Sequence, residues 1–126
     1  MLDKEQLALA KNDPKTFLSQ YKLIYIQIES ISERIQRFKE YAKYADVDDF
    51  LQELACEVST LKTFQVEIYN LLHESILDES LCKLLELRFL KGQTSDEISE
   101  KLHYSERWLL RLQAKAVKLF SDAIIL

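Results

Sequence analysis

The chain has 126 residues, of which 30% are charged, one is glycine and one is proline. So few turn-forming residues predict an all-α protein with long helices, and a single glycine excludes phosphate loops of the Walker A or dinucleotide type. The formal net charge is −4, with the acidic excess in residues 1–78 and a small basic excess in residues 79–126. This asymmetry is expected when only one part of a protein contacts nucleic acid.

No pattern typical of catalysis, a cofactor site or a metal site is present. The histidines, His73 and His103, are far apart and in no metal-ligand spacing, so we expect no enzyme activity, cofactor, metal or small-molecule substrate. Cys56 and Cys82 are predicted core residues in a reducing compartment. The N-terminus lacks the apolar segment of a signal peptide, and no run is long enough to span a membrane. We therefore expect a cytoplasmic protein with no membrane partner.

A short first helix is expected over residues 3–11, followed by a much longer one. Asp13 is the predicted N-cap of the long helix and Pro14 its first residue. A proline costs no hydrogen bond there, because the first amides of a helix have no partner within the helix. Apolar residues then alternate spacings of four and three, a heptad seam that predicts a helix to about Ala45. This first seam consists of Phe17, Tyr21, Ile24, Ile28, Ile31, Ile35, Phe38, Ala42 and Ala45.

A second long helix with the same spacing follows a short break. The break, residues 46–49, is rich in aspartate, whose carboxylates are expected to cap the next helix. Within the second seam, Gln65 is either a polar residue that sets register or an ordinary edge position. Two seams joined by a short break predict a long antiparallel helical hairpin over residues 1–75. The second seam consists of Leu51, Leu54, Val58, Leu61, Gln65, Ile68 and Leu72.

The predicted hairpin contains more apolar side chains than it can bury alone, and this excess predicts a homodimer or a contact with the C-terminal part. The apolar residues outside the two seams are Tyr25, Ile26, Tyr41, Tyr44, Phe50, Phe64 and Leu71. We assign oligomerisation to the first seam, namely to Ile24, Ile28, Ile31, Ile35 and Phe38.

Residues 76–126 are predicted to form a three-helix module that ends in a helix-turn-helix. Residues 73–78 are the expected hinge, and Asp78 is the expected cap of the first helix. That helix should end at Lys91-Gly92, because glycine readily adopts the left-handed conformation of a C-cap. Thr94 and Glu97 have the spacing of a capping box. The expected apolar residues are Leu81, Leu84, Leu85, Arg88 and Phe89 in the first helix, and Ile98 and Leu102 in the second.

The third helix of the module is expected to begin after a tight turn at His103-Tyr104, with Ser105 as its N-cap. So short a turn favours the sharp helix crossing of DNA-binding helix-turn-helix units. Its apolar face contains Leu109, Leu112, Ala116 and Phe120. The opposite face carries four cations around Ala114, here called the basic stripe: Arg107, Arg111, Lys115 and Lys118. This stripe suits a phosphate-lined groove, although charged outer faces are also normal for amphipathic helices.

Residues 87–119, LRFLKGQTSDEISEKLHYSERWLLRLQAKAVKL, resemble a known DNA-binding domain. They are similar to the C-terminal, fourth-region domain of bacterial sigma factors, and more closely to small phage and prophage transcriptional regulators of the RinA/ArpU type. The resemblance implies that the third helix reads promoter DNA and that the targets are late phage genes. The shared pattern comprises Leu87-Arg88-Phe89-Leu90, Glu97-Ile98, Leu102, Tyr104-Ser105, Arg107, Leu109, Arg111 and Ala116.

Three residues depart from that family pattern. His103 stands where glycine is common, and histidine tolerates positive φ better than most residues. Glu106 stands where a cation is usual, and its charge opposes phosphate. Trp108 stands where a small or β-branched residue is common. The indole either seals the flank of the core or marks a contact surface for another protein.

The first functional hypothesis is a phage or prophage transcriptional regulator that binds double-stranded DNA as a dimer. In this hypothesis Arg107 and Arg111 contact bases or phosphates, and Lys101, Lys115 and Lys118 contact the DNA backbone. Thr94 and Ser105 present helix N-terminal amides to phosphates. Two alternatives stay open. One is a small terminase subunit that recognises a packaging site, and the other is an interaction protein that binds host RNA polymerase or another host factor instead of DNA.

Overall fold

The computed structural model describes residues 2–42 and 46–126, and this part of the chain is helical with no strand. The predicted all-α class is therefore confirmed. None of the helices in these two ranges combines the length and the apolar character that crossing a membrane requires. The helices are α1 (Lys4–Asn12), α2 (Pro14–Tyr41), α3 (Asp48–Ser75), α4 (Glu79–Leu85), a π-helical turn (Glu86–Leu90) that continues α4, α5 (Ser95–Leu102) and α6 (Glu106–Ala123).

Two of the predicted helix starts, those of α2 and α4, are local hydrogen-bonded caps. The Asp13 carboxylate accepts a hydrogen bond from the Thr16 amide, and Pro14 is the first residue of α2, as predicted. The Asp78 carboxylate caps α4 by accepting from the amides of Ser80 and Leu81. Each cap satisfies amides that have no partner within the first turn of a helix.

The start of α3 differs from the prediction. Its N-cap is Val47, which has no side chain able to accept a hydrogen bond. Asp48 and Asp49 lie inside the first turn, where their charges interact favourably with the helix dipole. Asp46 accepts a hydrogen bond from the Asp48 amide. The expectation that aspartates supply the N-cap itself is therefore wrong. Tyr44 and Ala45, named above as apolar residues, lie outside the described residues.

Helices α2 and α3 run antiparallel against each other. The Gln65 side-chain amide donates to the Tyr21 carbonyl at 3.1 Å, and the rings of Phe38 and Phe50 meet edge to face at 4.7 Å. The two contacts join the start of α2 to the end of α3 and the end of α2 to the start of α3, which is possible only for antiparallel helices. Gln65 thus sits at the helix interface and bonds to the partner backbone there.

The largest core cluster joins the N-terminal helices to the C-terminal ones. The rings of Phe17 and Phe120 are stacked with centroids 6.2 Å apart, and both side chains are fully buried. Residues on both sides of position 75 belong to this cluster, so residues 1–75 and 76–126 share one core. Its buried members are Ala10, Phe17, Leu18, Ile24, Ile68, Leu72, Ile76, Leu81, Cys82, Leu85, Leu90, Ala116, Phe120 and Ile124.

Polar contacts between α1 and α6 close the same junction. The Lys11 ammonium donates to the carbonyls of Ser121 and Ile124, at 3.2 and 2.8 Å. In return the Ser121 hydroxyl donates to the Lys11 carbonyl at 2.6 Å. The last carbonyls of a helix have no intrahelical donor, and α6 has no cation in its own last turn. Lys11 supplies that charge from the other end of the chain.

Cys56 is exposed, whereas Cys82 is buried. The prediction of a core position is therefore confirmed for Cys82 and wrong for Cys56. On α3, Leu54 is buried, and Cys56 follows two residues later, about 200° around a helix with 3.6 residues per turn. The apolar neighbours of Cys56 in the sequence hence say little about its burial, because they lie on another face.

The shared core predicts that the chain unfolds as one unit. We expect Phe120→Ala to lower the free energy of unfolding by about 3–5 kcal/mol, because it removes a fully buried ring and leaves a cavity. Urea denaturation followed by helical circular dichroism and by Trp108 fluorescence should show coincident transitions. Leu77→Ala is the control, since that side chain is 90% exposed. Separate transitions for the two signals would contradict a shared core.

Candidate nucleic-acid interface

The turn before α5 is built on the only glycine of the chain, Gly92, at φ +69°. The preceding π-helical turn is closed by a hydrogen bond from the Lys91 amide to the Glu86 carbonyl at 2.9 Å. Lys22 of α2 donates to the Lys91 carbonyl and lies so close to Gly92 that an added Cβ would be 3.3 Å from its side chain. Gly92 therefore provides both the left-handed backbone and the space that Lys22 needs.

The π-helical turn changes the expected apolar face of the helix after Asp78. The face was expected to end with Arg88 and Phe89, but these are only partly buried, whereas Leu87 and Leu90 are buried. One extra residue in a helical turn rotates all later side chains around the axis. The Arg88 guanidinium instead donates to the Gln93 carbonyl at 2.8 Å and supports the turn into α5.

Thr94 caps α5 by accepting a hydrogen bond from the Glu97 amide at 3.2 Å. The Thr94 hydroxyl also donates to the Glu97 carboxylate, so the two residues are paired as the capping-box spacing predicted. In a complete capping box the Glu97 carboxylate would accept from the backbone amide of Thr94, whereas here it accepts from the Thr94 hydroxyl.

The turn between α5 and α6 is held by its own residues. His103 adopts the left-handed conformation, with φ 59°, as expected for a residue in the position of a turn glycine. The Ser99 hydroxyl donates to the Tyr104 carbonyl. Ser105 then caps α6 by accepting from the Trp108 amide at 3.2 Å. These contacts fix the end of α5 and the start of α6 on either side of the turn. Residues 95–123 are called the α5–α6 unit below.

The inward face of α6 is buried along its length. Leu109 packs with Leu84, Leu87 and Ile98 in a small core cluster, whereas Ala116 and Phe120 belong to the large cluster. Leu112 contacts both clusters. The predicted apolar face of α6 is therefore confirmed, and α6 cannot rotate about its axis without exposing it.

The predicted DNA-contact residues are all exposed. The basic stripe occupies the outer face of α6, Lys101 lies at the end of α5, and Thr94 and Ser105 are the caps at the first turns of the two helices. The predicted residues thus lie on the α5–α6 unit or, for Thr94, at the cap directly before it. The stripe spans about 16 Å, because Arg107 and Lys118 are eleven residues apart along a helix that rises ~1.5 Å per residue.

A contact between two carboxyl groups was not predicted. The protonated Glu106 donates a hydrogen bond to the Asp96 carboxylate, and this bond, with the negative charge of Asp96, raises the pKa of Glu106 above its ordinary value of 4.5. Asp96 is in the first turn of α5 and Glu106 in the first turn of α6. The sequence shows each carboxylate at a helix start, but only the crossing of the two helices brings them together.

Several large apolar side chains on α6 are also exposed, namely Trp108, Leu110 and Leu119, at 48%, 56% and 41%. The suggestion that Trp108 seals the flank of the core is not favoured by this exposure, since a sealing side chain would be mostly buried. The outer face of α6 is thus cationic in the middle and apolar beside it.

A shallow depression between α3 and α4 brings together His73, Cys82 and Glu86. The His73 imidazole is 3.6 Å from the Glu86 carboxylate and packs on the ring of Tyr69. Burial, with the charge of Glu86, raises the pKa of the Cys82 thiol, which makes that thiol a weak nucleophile at neutral pH. Among the described residues, no group of three or more histidine, cysteine or acidic side chains could hold a metal ion.

Comparison with protein-family models, with curated proteins and with solved structures finds no match to this chain.

The Asp96–Glu106 contact predicts a pH-dependent stability. Because the folded-state pKa of Glu106 is raised, its contribution to stability is fully present below about pH 4.5 and is lost as pH rises through the raised value. We expect Glu106→Gln to stabilise the protein at neutral pH, since it removes the repulsion and keeps a hydrogen-bonding side chain. The advantage should disappear in acid.

The measurement is thermal denaturation of both proteins between about pH 4 and pH 8, a window that starts near the ordinary pKa of a glutamate and extends well above it. Glu100→Gln, which removes an exposed glutamate from the same unit, serves as the control for the change in net charge. An equal stability difference at both ends of the pH range would contradict the role given to the Asp96–Glu106 contact.

Proposed function

We propose that the protein is a double-stranded DNA-binding transcriptional regulator of phage or prophage genes, in which the α5–α6 unit acts as a helix-turn-helix. In this proposal α6 is the recognition helix. The observation that carries the proposal is the basic stripe on the outer face of a helix whose inner face is buried in two core clusters. A cationic helix face held outward in this way suits the major groove and its flanking phosphates.

Position along α6 suggests different roles for the four cations of the stripe. The N-terminal residues of a recognition helix reach base edges, so Arg107 and Arg111 are the proposed base or phosphate contacts. An arginine can also bind guanine with two hydrogen bonds. Lys115 and Lys118, with Lys101 at the end of α5, are proposed to bind the phosphate backbone, where a flexible ammonium is sufficient.

The helix starts at Thr94 and Ser105 support phosphate binding through the partial positive charge of their first amides. Asp96 and Glu106 at the same two starts work against it. Their proximity raises the pKa of Glu106, so this carboxylate loses its opposing charge at a higher pH than an isolated glutamate does. The proposal therefore implies tighter DNA binding for Glu106→Gln than for the wild-type protein.

We propose a homodimer as the DNA-binding species, because two linked modules can engage two half-sites one helical turn apart. The five residues assigned to oligomerisation are wholly or partly buried by contacts within the chain. Ile24 and Ile31 are buried, and Ile28, Ile35 and Phe38 are half-buried. Two apolar side chains on another face of α2, Leu23 and Ile26, are 59% and 52% exposed. They are the better candidates for contact with a second copy.

A second candidate function is an interaction protein that binds host RNA polymerase or another host factor. The exposed apolar side chains on α6 favour it, because exposed aromatic and leucine side chains are common anchors at protein interfaces. The two candidates differ in their response to salt. DNA binding weakens steeply with added salt, because binding releases counterions from the DNA and salt makes that release less favourable. An apolar contact between proteins depends little on salt.

The first test is the replacement of Arg107, Arg111 and Lys115 together by alanine. We expect the variant to lose most of its affinity for random duplex DNA, and the slope of log affinity against log salt to fall by about 3, one for each lost phosphate contact. Fluorescence anisotropy of labelled duplex at several salt concentrations measures both quantities.

A matched control variant comes from α2, where Arg34, Arg37 and Lys39 are exposed. Replacing these three residues by alanine removes the same side-chain types and the same charge from a surface that the proposal does not use. Equal losses in both variants would mean that net charge, and not the stripe, governs binding. No binding of the wild-type protein at low salt would overturn the proposal and favour the interaction protein.

The second test concerns the oligomer. We expect Leu23→Asp with Ile26→Asp to give a monomer of unchanged helicity, because a charge at an apolar contact loses its hydration without gaining a partner. Sedimentation velocity measures the mass, and Gln52→Asp at an exposed position of α3 is the control. A wild-type monomer would contradict the proposed dimer, and a ring of many subunits would favour the terminase alternative.

A further inference from the structure

Trp108 is the only tryptophan of the chain and lies in the first turn of α6, where its amide donates to the Ser105 cap. The side chain is 48% exposed and is not part of either buried core cluster. A side chain of this size at a helix surface leaves a large apolar area in water. Packing within the core of this chain therefore does not explain why a tryptophan occupies this position.

The local structure of α6 does not require a tryptophan at this position. Trp108 is the third residue after the cap, the place where a glutamate or glutamine would return a hydrogen bond to the cap residue. At the start of α5 that place is held by Glu97, which does bond to Thr94. In α6 the same place carries an indole that returns no such bond, although its helix propensity is lower than that of glutamate.

The surroundings of Trp108 on the outer face are cationic. On a helix with 3.6 residues per turn, Trp108 is about 60° from Arg111 and about 20° from Lys115 around the axis. Both are exposed. Anchor residues at protein–protein interfaces usually lie in patches from which charged side chains are depleted. An indole that shares its side of α6 with cations, in the first turn of the helix, is a better fit to a DNA groove, where phosphates surround apolar groups on the bases.

We infer that Trp108 is a specificity-determining residue that packs against the 5-methyl group of thymine in the major groove. The inference rests on the proposed DNA-binding function. Thymine is the base that presents an apolar group in that groove, and the first turn of a recognition helix is the part that reaches base edges. The cations of the stripe supply affinity for any duplex, whereas the indole supplies a preference for particular bases.

The test begins with a preferred duplex selected from a random pool by the full-length wild-type protein. Each thymine of that duplex is then replaced in turn by uracil, which differs only by lacking the 5-methyl group. At one or two positions we expect wild-type affinity to fall about fourfold, the loss that corresponds to one buried methyl group. In Trp108→Ala this discrimination should vanish, and in Trp108→Phe it should persist in weaker form. The salt dependence should be the same in all three proteins, because no cation is lost.

The emission of Trp108 gives an independent signal that needs no variant. On binding the selected duplex it should shift or be quenched, and the ring should become less accessible to acrylamide. Salt-dependent binding with unchanged emission and no sensitivity to uracil would overturn this inference and leave the proposed function intact. The absence of any DNA binding would overturn both. An emission change produced by purified bacterial RNA polymerase, and not by DNA, would assign the indole to a protein contact.

Discussion

The stacking of Phe17 on Phe120 is the contact on which the rest of the structure depends. The two rings are buried at 6.2 Å and join the start of α2 to the end of α6. The hydrogen bonds between Lys11 and the last carbonyls of α6 lie beside them. Since residues more than a hundred positions apart are held together here, the orientation of α6 is set by the N-terminal helices as well as by its own turn.

That orientation decides which surface of α6 remains available. Leu109, Leu112, Ala116 and Phe120 are directed into the two core clusters, so the stripe around Arg111 has to face outward. The small cluster around Ile98 holds α5 against α6 with few side chains. The α5–α6 unit is therefore anchored mainly through α6. Partners would meet a rigid helix whose charge and apolar groups are arranged in advance, which lowers the conformational cost of binding.

The sequence-based expectations are accurate where an interaction joins residues that are close in the sequence, and less accurate where distant residues take part. The caps at Asp13, Asp78, Thr94 and Ser105 were predicted because each uses a side chain and an amide within three residues. The inward face of α6 was predicted from helical periodicity alone. The expectations are wrong where the packing around a residue, and not its own side chain, decides burial or capping. Cys56 has apolar neighbours in sequence but is exposed, and Val47 occupies the N-cap of α3 although aspartates surround it.

The sequence by itself determined the helical class, most helix starts, the tight turn at His103 and the line of cations on α6, because these depend on side-chain chemistry and spacing within a few residues. Only the tertiary structure decided the π-helical turn that directs Leu87 and Leu90 inward, the capping of α6 by Lys11 and the contact of Asp96 with Glu106. It also decided that Trp108 stays half-exposed. Each of these depends on how separate helices pack, which no local pattern of residues encodes.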